Sequence, residues 1–394
     1  MKKLMSLLAM MLVVATLLTS CGAGNQDEPS GSDQSGSESA KELRIGGIGP
    51  LTGDYANYGL SVRNGAQVAV DEINAAGGIN GMQVVLDMQD SQGDPDSAVA
   101  AYGKLLDNGM HISIGTTLSG EMASVSLTAA EDDIFMISPS ASNDDCIKNN
   151  SKAFRVCFTD SSQGKFSADY IVDHKLATEV AVLYQSDLDY SAGLYESFEA
   201  RAKELGLSVV EVQTFDSNTS TDFSTQVSAI NASGVKLVFI PIYAAEASTF
   251  LSQAKGKLPE DTLYFGCDGL DGILTKVEND VTIADNVLEL TPFAADDPDT
   301  KVQSFVSKYK ADYNAAPDQF AADAYDAVYV IKALLEKAGV TDPADCSGEY
   351  LSSLMTDLTV DGVTGTMTWL ENGDTEKDAK AMIIKDGVAS LYLG

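Results

Sequence analysis

Histidine and tryptophan are scarce in this sequence, which has two histidines and one tryptophan among 394 residues. The two histidines, His111 and His174, lie far apart in the chain, so a histidine-rich zinc site or a Ser-His-Asp triad is not expected. The five cysteines form no CxxC pair and show no metal-ligand spacing. We therefore expect no catalytic residue, no metal site and no cofactor.

Positive charge is also in short supply. The chain has 25 Lys and Arg residues against 58 Asp and Glu residues, a formal net charge of −33. Such a charge repels phosphate backbones and anionic lipid surfaces, so we expect no nucleic-acid partner. The composition is otherwise that of a globular protein, with 44% hydrophobic and 21% charged residues. The length predicts two or three domains.

Long apolar runs are confined to the start of the chain, where Leu4 to Leu18 follow Lys2 and Lys3. This run suits the apolar region of a signal peptide, and it leads into Leu-Thr-Ser-Cys, which resembles a bacterial lipobox. We predict a signal peptide over 1–20 and a Cys21 that carries lipid such as palmitate. A flexible tether over 21–41 and an extracytoplasmic, lipid-anchored location follow. The alternative is a plain signal peptide with an incidental cysteine.

The remaining cysteines suit an oxidising compartment. Cys146 and Cys157 flank a short polar stretch, and a disulfide between them would stabilise the fold by ~3 kcal/mol in the chain-entropy model. Cys267 and Cys346 have no obvious partner, and we interpret each as a small buried apolar residue.

Strand and helix patterns alternate through the rest of the chain, stop near residue 140 and restart near residue 163. This order predicts an α/β protein with two doubly wound, largely parallel sheets. The predicted strands are 43–48, 82–88, 112–114, 134–137, 180–184, 207–212, 237–242, 263–265, 287–290, 364–369, 381–384 and 390–393. The predicted helices are 60–76, 95–109, 120–132, 163–176, 191–205, 222–233, 245–256, 300–314, 319–338 and 348–357.

Polar side chains follow several of these strands, at the sheet edge where doubly wound folds bind ligands. The first half of the chain supplies hydroxyl groups there, and the second half supplies an acid and aromatic rings. These residues are Thr117, Ser119, Ser140 and Ser142 from the first half, and Tyr190, Tyr243 and Asp268 from the second. A zwitterion held between the halves would satisfy both sets. The alternative is that the serines are helix caps and turn formers.

Several motifs give the chain a close resemblance to the branched-chain amino-acid-binding proteins of ABC importers. The motifs are Ile45 to Gly53 followed by Tyr58-Gly59, then 71–81, 138–142, 222–224, 266–269 and 363–365. The resemblance covers 42–394 and implies the type I periplasmic-binding fold, which has two lobes joined by a three-crossover hinge.

The resemblance also implies roles for individual residues. The Ser119 hydroxyl, the backbone at Ser140 and Ala141, and Ser142 would hold the carboxylate of the ligand. Asp268 would hold its ammonium group, although family members often carry Glu at this position. Tyr58, Tyr190 and Tyr243 would line the pocket, and Thr117 would lie near the side chain of the ligand.

These features lead us to expect a receptor that binds a small L-amino acid, branched-chain or related, and delivers it to an ABC permease. We expect a monomer whose only membrane contact is its lipid. One lobe would comprise 42–158 plus 288–364, and the other 159–287 plus 365–394. A sensory or regulatory protein of the same fold is the alternative; an enzyme on this scaffold lacks a credible nucleophile.

Overall fold

The computed structural model describes residues 41–377 and 379–392. The first five strands form one parallel sheet in the order β2-β1-β3-β4-β5. Its elements are β1 (Glu42–Gly49), α1 (Ala56–Ala75), β2 (Gln83–Asp90), α2 (Pro95–Asp107), β3 (Ile112–Thr116), α3 (Ser119–Thr128), β4 (Phe135–Ser138) and β5 (Ala153–Arg155). Every residue of β3 and β4 is buried, as expected for parallel strands covered on both faces.

A second sheet of seven strands follows. Its elements are α4 (Asp160–Asp173), β6 (Glu179–Gln185), α5 (Asp189–Leu205), β7 (Ser208–Phe215), α6 (Ser224–Ser233), β8 (Leu237–Phe239), α7 (Ala244–Ala254), β9 (Leu263–Gly266) and β10 (Val287–Thr291). Two further strands near the end of the chain, β13 (Lys380–Lys385) and β14 (Val388–Leu391), are antiparallel at one edge. The strand order is β14-β13-β10-β9-β8-β6-β7. The prediction of two sheets in an α/β fold is confirmed.

The last part of the chain returns to the first sheet and then to the second. It contains α8 (Thr300–Tyr313), α9 (Gln319–Ala338), α10 (Gly348–Ser352), β11 (Thr359–Gly362), β12 (Gly365–Thr368), β13 (Lys380–Lys385) and β14 (Val388–Leu391). Helix α9 packs against α1, and a methyl group at Gly65 would lie 1.9 Å from the Ala321 carbonyl oxygen. The chain therefore passes between the two halves three times.

The predicted lobe boundaries, 42–158 plus 288–364 and 159–287 plus 365–394, stay a prediction. The predicted boundary between 287 and 288 falls within strand β10, which pairs with β9 and β13 in the second sheet. The predicted helix 348–357 is shorter in the structure, where α10 ends at Ser352 and a separate 3₁₀ turn spans Met355–Asp357.

The predicted strand 237–242 ends early, at Phe239. Pro241 lies two residues further on and has no N–H group to donate to a neighbouring strand. Helix α2 begins as predicted, because the Asp94 carboxylate accepts a hydrogen bond from the Ser97 N–H at 2.8 Å and Pro95 occupies the first turn.

None of the helices in the described part of the chain combines the length and the apolar character that a bilayer crossing needs. The predicted signal peptide, Cys21 and almost all of the tether lie outside the described residues.

Two acids on α9 hold the last passage of the chain in place. Asp326 accepts hydrogen bonds from the N–H groups of Val363 and Thr364, both at 2.9 Å. Asp323 pairs with the Lys377 ammonium at 2.5 Å, and their side chains are 3% and 0% exposed. The return to the second sheet is thus pinned by a buried ion pair.

We expect Asp323→Ala to lower the free energy of unfolding by about 3–5 kcal/mol, because it leaves the Lys377 charge buried without its partner. Urea denaturation measures this change. Asp261→Ala is the matched control, because Asp261 pairs with Lys236 on the surface and its loss should leave the midpoint unchanged. An Asp323→Ala protein as stable as the control would contradict the role given to the pair.

Candidate functional site

Loops at the carboxyl ends of strands from both sheets meet around one cavity. Seven of the nine predicted ligand-binding residues line it: Tyr58, Thr117, Ser140, Ser142, Tyr190, Tyr243 and Asp268. Leu118, Gly269 and Phe320 complete the lining, and the sequence analysis did not single them out. The other two predicted residues, Ser119 and Ala141, adjoin lining residues in the chain but are not part of the wall.

Hydrogen bonds of serine hydroxyl groups connect the loop after β3 to the loop after β4. The Ser119 oxygen accepts hydrogen bonds from the N–H groups of Ser142 at 3.2 Å and Asn143 at 3.1 Å. The Ser140 hydroxyl donates to the Thr117 carbonyl at 2.7 Å. The buried Ser142 hydroxyl lies beside the Asp160 carboxyl group; burial raises the pKa of that group and the hydroxyl lowers it. Ser119 and Ser140 therefore shape the loops, and Ser142 carries a hydroxyl that lines the cavity.

Ser138, the last residue of β4, supports this arrangement from below. Its hydroxyl oxygen accepts from the N–H groups of Ser140 at 3.3 Å and Ala141 at 3.0 Å, and the same hydroxyl donates to the Thr116 carbonyl at 2.8 Å. This role could not be predicted from the sequence, because a serine that caps a loop and a serine that binds a ligand can occupy the same position after a strand. The backbone donors at Ser140 and Ala141 are consequently already engaged by Ser138.

Asp268 forms the acidic wall of the cavity and is only 4% exposed. Its carboxylate accepts hydrogen bonds from the Tyr190 hydroxyl at 2.7 Å and from the Gly269 N–H at 2.9 Å. Burial raises the pKa of Asp268 to about 6, and the bond from Tyr190 opposes that rise. The carboxylate is therefore placed to gain from a cation brought into the cavity.

Aromatic rings form the rest of the wall. Tyr190 stacks on Tyr243 with ring centroids 4.6 Å apart and an interplanar angle of 11°. Tyr58 lies 5.4 Å from Tyr243 and 4.9 Å from Phe320, centroid to centroid. A methyl group at Gly269 would lie 2.5 Å from the Tyr190 hydroxyl oxygen, so glycine is needed there for the ring to pack against the loop.

The start of α1 bridges the two halves directly. The Tyr58 hydroxyl donates to the Gly269 carbonyl at 2.6 Å and accepts from the Ala244 N–H at 2.8 Å. One turn earlier, the Tyr55 hydroxyl donates to the Glu246 carboxylate at 2.9 Å. The enclosed cavity is small, with a volume of only about 10 Å³. That volume suits about one water molecule, so a larger ligand must part these contacts.

The predicted disulfide between Cys146 and Cys157 is not formed, and all four cysteines in the described part of the chain are free thiols. The Cys146 thiol donates to the Ala141 carbonyl at 3.5 Å, while Cys157 is completely buried. Burial raises the pKa of both thiols, and the positive charge of Arg155 opposes that rise. The spacing of two cysteines in the sequence does not show whether their sulfur atoms approach each other.

A family model described as periplasmic binding protein matches residues 42–387. The chain belongs to the periplasmic binding protein family. Members of this family are binding proteins rather than enzymes, and they act outside the cytoplasm. The family membership and the type I fold expected from the sequence motifs are thereby confirmed.

Individual relatives span most of this periplasmic binding protein. The Leu/Ile/Val-binding protein homolog 3 of Brucella melitensis is 30% identical over 338 residues, which cover 84% of this chain and 88% of the relative. The structure is similar to that of the branched-chain amino acid transporter substrate binding protein LivJ of Streptococcus pneumoniae in complex with isoleucine. That match has a TM-score of 0.81 and 29% identity and covers 89% of this chain and 99% of the other.

A third comparison involves an ABC transporter substrate-binding protein of Desulfitobacterium hafniense in complex with Leu. Its TM-score is 0.73 at 25% identity, and the match covers 89% of this chain and all of the other. The two-sheet architecture thus recurs in proteins whose structures hold an aliphatic amino acid.

The raised pKa of Asp268 predicts a pH-dependent stability for the ligand-free protein. Between pH 4 and 6 the folded state holds this proton while the unfolded state releases it, so the free energy of unfolding falls as pH rises. Asp268→Asn removes this contribution, which amounts to about 3 kcal/mol at most. We expect the thermal midpoint of the variant minus that of the wild type to increase from pH 4 to pH 6, as measured by calorimetry.

Glu121, whose burial raises its pKa to about 7, contributes the same trend to both proteins, and the comparison between variant and wild type cancels it. Burial and the charge of Asp268 raise the pKa of Asp160, Glu289 and Asp323, so the difference between the two proteins reports Asp268 together with these neighbours. Midpoints that run parallel through this pH range would contradict the assignment of a raised pKa to Asp268.

Proposed function

We propose that this protein is an extracytoplasmic receptor that binds a branched-chain or related L-amino acid between its two lobes and delivers it to an ABC permease. It takes no cofactor and works as a monomer. The observation that carries the proposal is the cavity itself, where hydroxyl groups of the first-sheet loops face the buried carboxylate of Asp268. The carboxylate of an α-amino acid can accept hydrogen bonds from the hydroxyl groups, and its ammonium group can pair with Asp268.

The aromatic rings support an aliphatic side chain for the ligand. Tyr58, Tyr243 and Phe320 present apolar faces and edges to the cavity, and each is at most 6% exposed. Apolar side chains buried against such rings gain ~25 cal/mol per Å² of surface removed from water. The relatives support the same ligand class, since they include a Leu/Ile/Val-binding protein homolog and structures in complex with isoleucine and with leucine.

Import accounts for these features better than sensing does, because the relatives named above include a transporter substrate-binding protein. Anchoring through a lipid on Cys21 completes the proposal, and it rests on the lipobox-like sequence Leu18 to Cys21. Such an anchor would keep the receptor next to its permease at the membrane surface.

A thermal-shift screen against the twenty amino acids tests the proposed function. A ligand at ~1,000 times its dissociation constant stabilises the protein by ~4 kcal/mol, which is readily measured. We expect L-leucine, L-isoleucine or L-valine to give the largest shift. No shift with any amino acid would overturn the amino-acid assignment.

Asp268→Ala is the sharper test of how the ligand is held. Removing one partner of a buried charge pair costs about 2–5 kcal/mol, so we expect binding to weaken from about 30-fold to several thousand-fold by calorimetric titration. Asp187→Ala is a matched control: Asp187 lies in the loop after β6, and its carboxylate bonds to Ser217 rather than lining the cavity. An affinity of Asp268→Ala within about threefold of wild type, ~0.7 kcal/mol, would make Asp268 a turn residue.

The lipid anchor has its own test in cells that are fed a labelled palmitate analogue. We expect the wild-type protein to take up the label and to sediment with membranes. Cys21→Ala should lose the label and appear in the soluble extracytoplasmic fraction. An unlabelled wild-type protein would favour the plain signal peptide.

A further inference from the structure

The start of α9 accepts carboxyl groups from both halves of the molecule. Asp318, the residue before the helix, accepts hydrogen bonds from the Ala321 N–H at 2.9 Å and from the Ser61 hydroxyl of α1 at 2.6 Å. Asp271 comes from the half built on the second sheet, in the turn after β9, and its Oδ2 accepts from the Gln319 N–H at 2.8 Å. The first N–H groups of a helix have no acceptor within the helix, so Asp271 satisfies one of them from the opposite half.

The turn that carries Asp271 also carries the acid of the cavity wall. Asp268 begins this turn, and its carbonyl accepts from the Asp271 N–H at 2.9 Å and from the Gln319 side-chain amide at 3.3 Å. Asp268 lines the cavity, whereas Asp271 and Gln319 do not. One turn therefore presents one carboxyl group to the cavity and another to α9.

The bond between Asp271 and α9 crosses the boundary that a ligand must open. Helix α9 packs against α1, and the Tyr58 hydroxyl of α1 donates to the Gly269 carbonyl, two residues before Asp271. The cavity has a volume of only about 10 Å³, so a ligand larger than water requires this turn to move away from α1 and α9. Opening then leaves the Gln319 N–H without its acceptor, and closing around a ligand restores the bond.

Asp271 and Asp318 approach each other at this boundary without a cation between them. None of the described lysine and arginine side chains pairs with either carboxyl group. Burial and the charge of Asp318 raise the pKa of Asp271 to about 7, and the bond from the Gln319 N–H opposes that rise. Separation of the two halves removes the repulsion between the two acids.

Other titratable groups face the same pair. Burial and then the charge of Asp271 raise the pKa of Glu289 in β10, and Asp268 adds to that rise. Tyr309 of α8 faces Asp318, and burial raises the pKa of Tyr309 to about 12, so this phenol stays neutral near pH 7. The groups on every side of Asp271 are thus acids or neutral, and closing favours the uptake of a proton.

We propose that Asp271 is a positioning residue that caps α9 from the opposite half and thereby stabilises the closed, ligand-bound form without touching the ligand. The proposal rests on the proposed function for the identity of the ligand. Because Asp271 does not line the cavity, its contribution should be the same for every ligand that the closed form holds. Because Asp271 meets Asp318 only on closing, binding should also take up a proton.

Calorimetric titration with L-leucine, L-isoleucine and L-valine tests the cap. We expect Asp271→Ala to weaken the binding of all three by one common factor of about 3- to 30-fold, the effect of losing a helix-capping carboxylate. Asp271→Asn keeps an acceptor for the Gln319 N–H, so it should bind each ligand more tightly than Asp271→Ala does. Affinities of Asp271→Ala within about twofold of wild type would overturn the proposal. So would factors that differ more than about threefold among the three ligands, because Asp271 would then shape the cavity.

Asp299→Ala is the matched control. Asp299 caps α8 by accepting from the Lys301 N–H at 2.7 Å and the Val302 N–H at 3.3 Å. Its loss should lower the thermal midpoint of the ligand-free protein and leave the affinity unchanged. If Asp299→Ala weakened binding as much as Asp271→Ala did, the effect would belong to helix capping in general, and the proposal would fall.

Proton uptake on binding is a readout that a purely structural role would not change. Titrations with L-leucine at about pH 6, in two buffers of different ionisation enthalpy, count the protons taken up. We expect the wild type to take up about half a proton or more in excess of Asp271→Asn, and its relative affinity to fall as pH rises toward 7. The excess reports Asp271 together with Asp318 and Glu289. Equal uptake by the two proteins would overturn the meeting of the two acids on closing.

The outcomes separate this inference from the proposed function. Wild-type affinity in Asp271→Ala would overturn this inference alone. If the wild type bound none of the twenty amino acids, the proposed function and this inference would both be overturned. The thermal midpoint of each ligand-free variant reports whether its fold survives, and Asp271→Asn, which keeps the shape of the side chain, carries the proton test in any case.

Discussion

The buried guanidinium of Arg155 is the constraint on which the rest of the site depends. Its Nη1 donates to the carbonyls of Ala141, Ser142 and Asn143, at 3.1, 2.7 and 2.9 Å. Three consecutive carbonyls drawn to one cation turn inward, and this leaves the N–H groups of Ser142 and Asn143 facing Ser119. The guanidinium thus acts together with the hydroxyl groups of Ser119 and Ser138 to hold this loop in one conformation.

The same arginine ties the first passage between the sheets to the last. Its Nε pairs with the Asp374 carboxylate at 2.9 Å, and its carbonyl accepts from the Trp369 indole N–H at 2.8 Å. Both partners lie more than 200 residues further along the chain. A buried arginine charge is stabilised by an opposite charge nearby, so the ion pair with Asp374 couples the shape of the binding loop to the docking of the returning segment.

Local sequence patterns were enough to predict most of the architecture and many of the cavity residues. Helix α2 was predictable because Asp94 and Pro95 act within their own turn, and Tyr190 and Asp268 because they lie in the segments that come after β6 and β9. Phe320 was missed because its place in the cavity wall comes from neighbours distant in sequence. The possible disulfide between Cys146 and Cys157 is not formed, and the spacing of two cysteines does not show whether their sulfur atoms approach each other.

The Tyr58 hydroxyl, which bonds to both Gly269 and Ala244, has a consequence for how quickly the protein takes up a ligand. A molecule larger than water can enter the cavity only after these bonds and the Tyr55–Glu246 bond break. The rate of opening thus sets an upper limit on the rate of uptake, however tightly the ligand is then held. The rate of uptake and the affinity are therefore governed by different parts of the molecule, the first by two tyrosines at the start of α1 and the second by the polar groups inside the cavity.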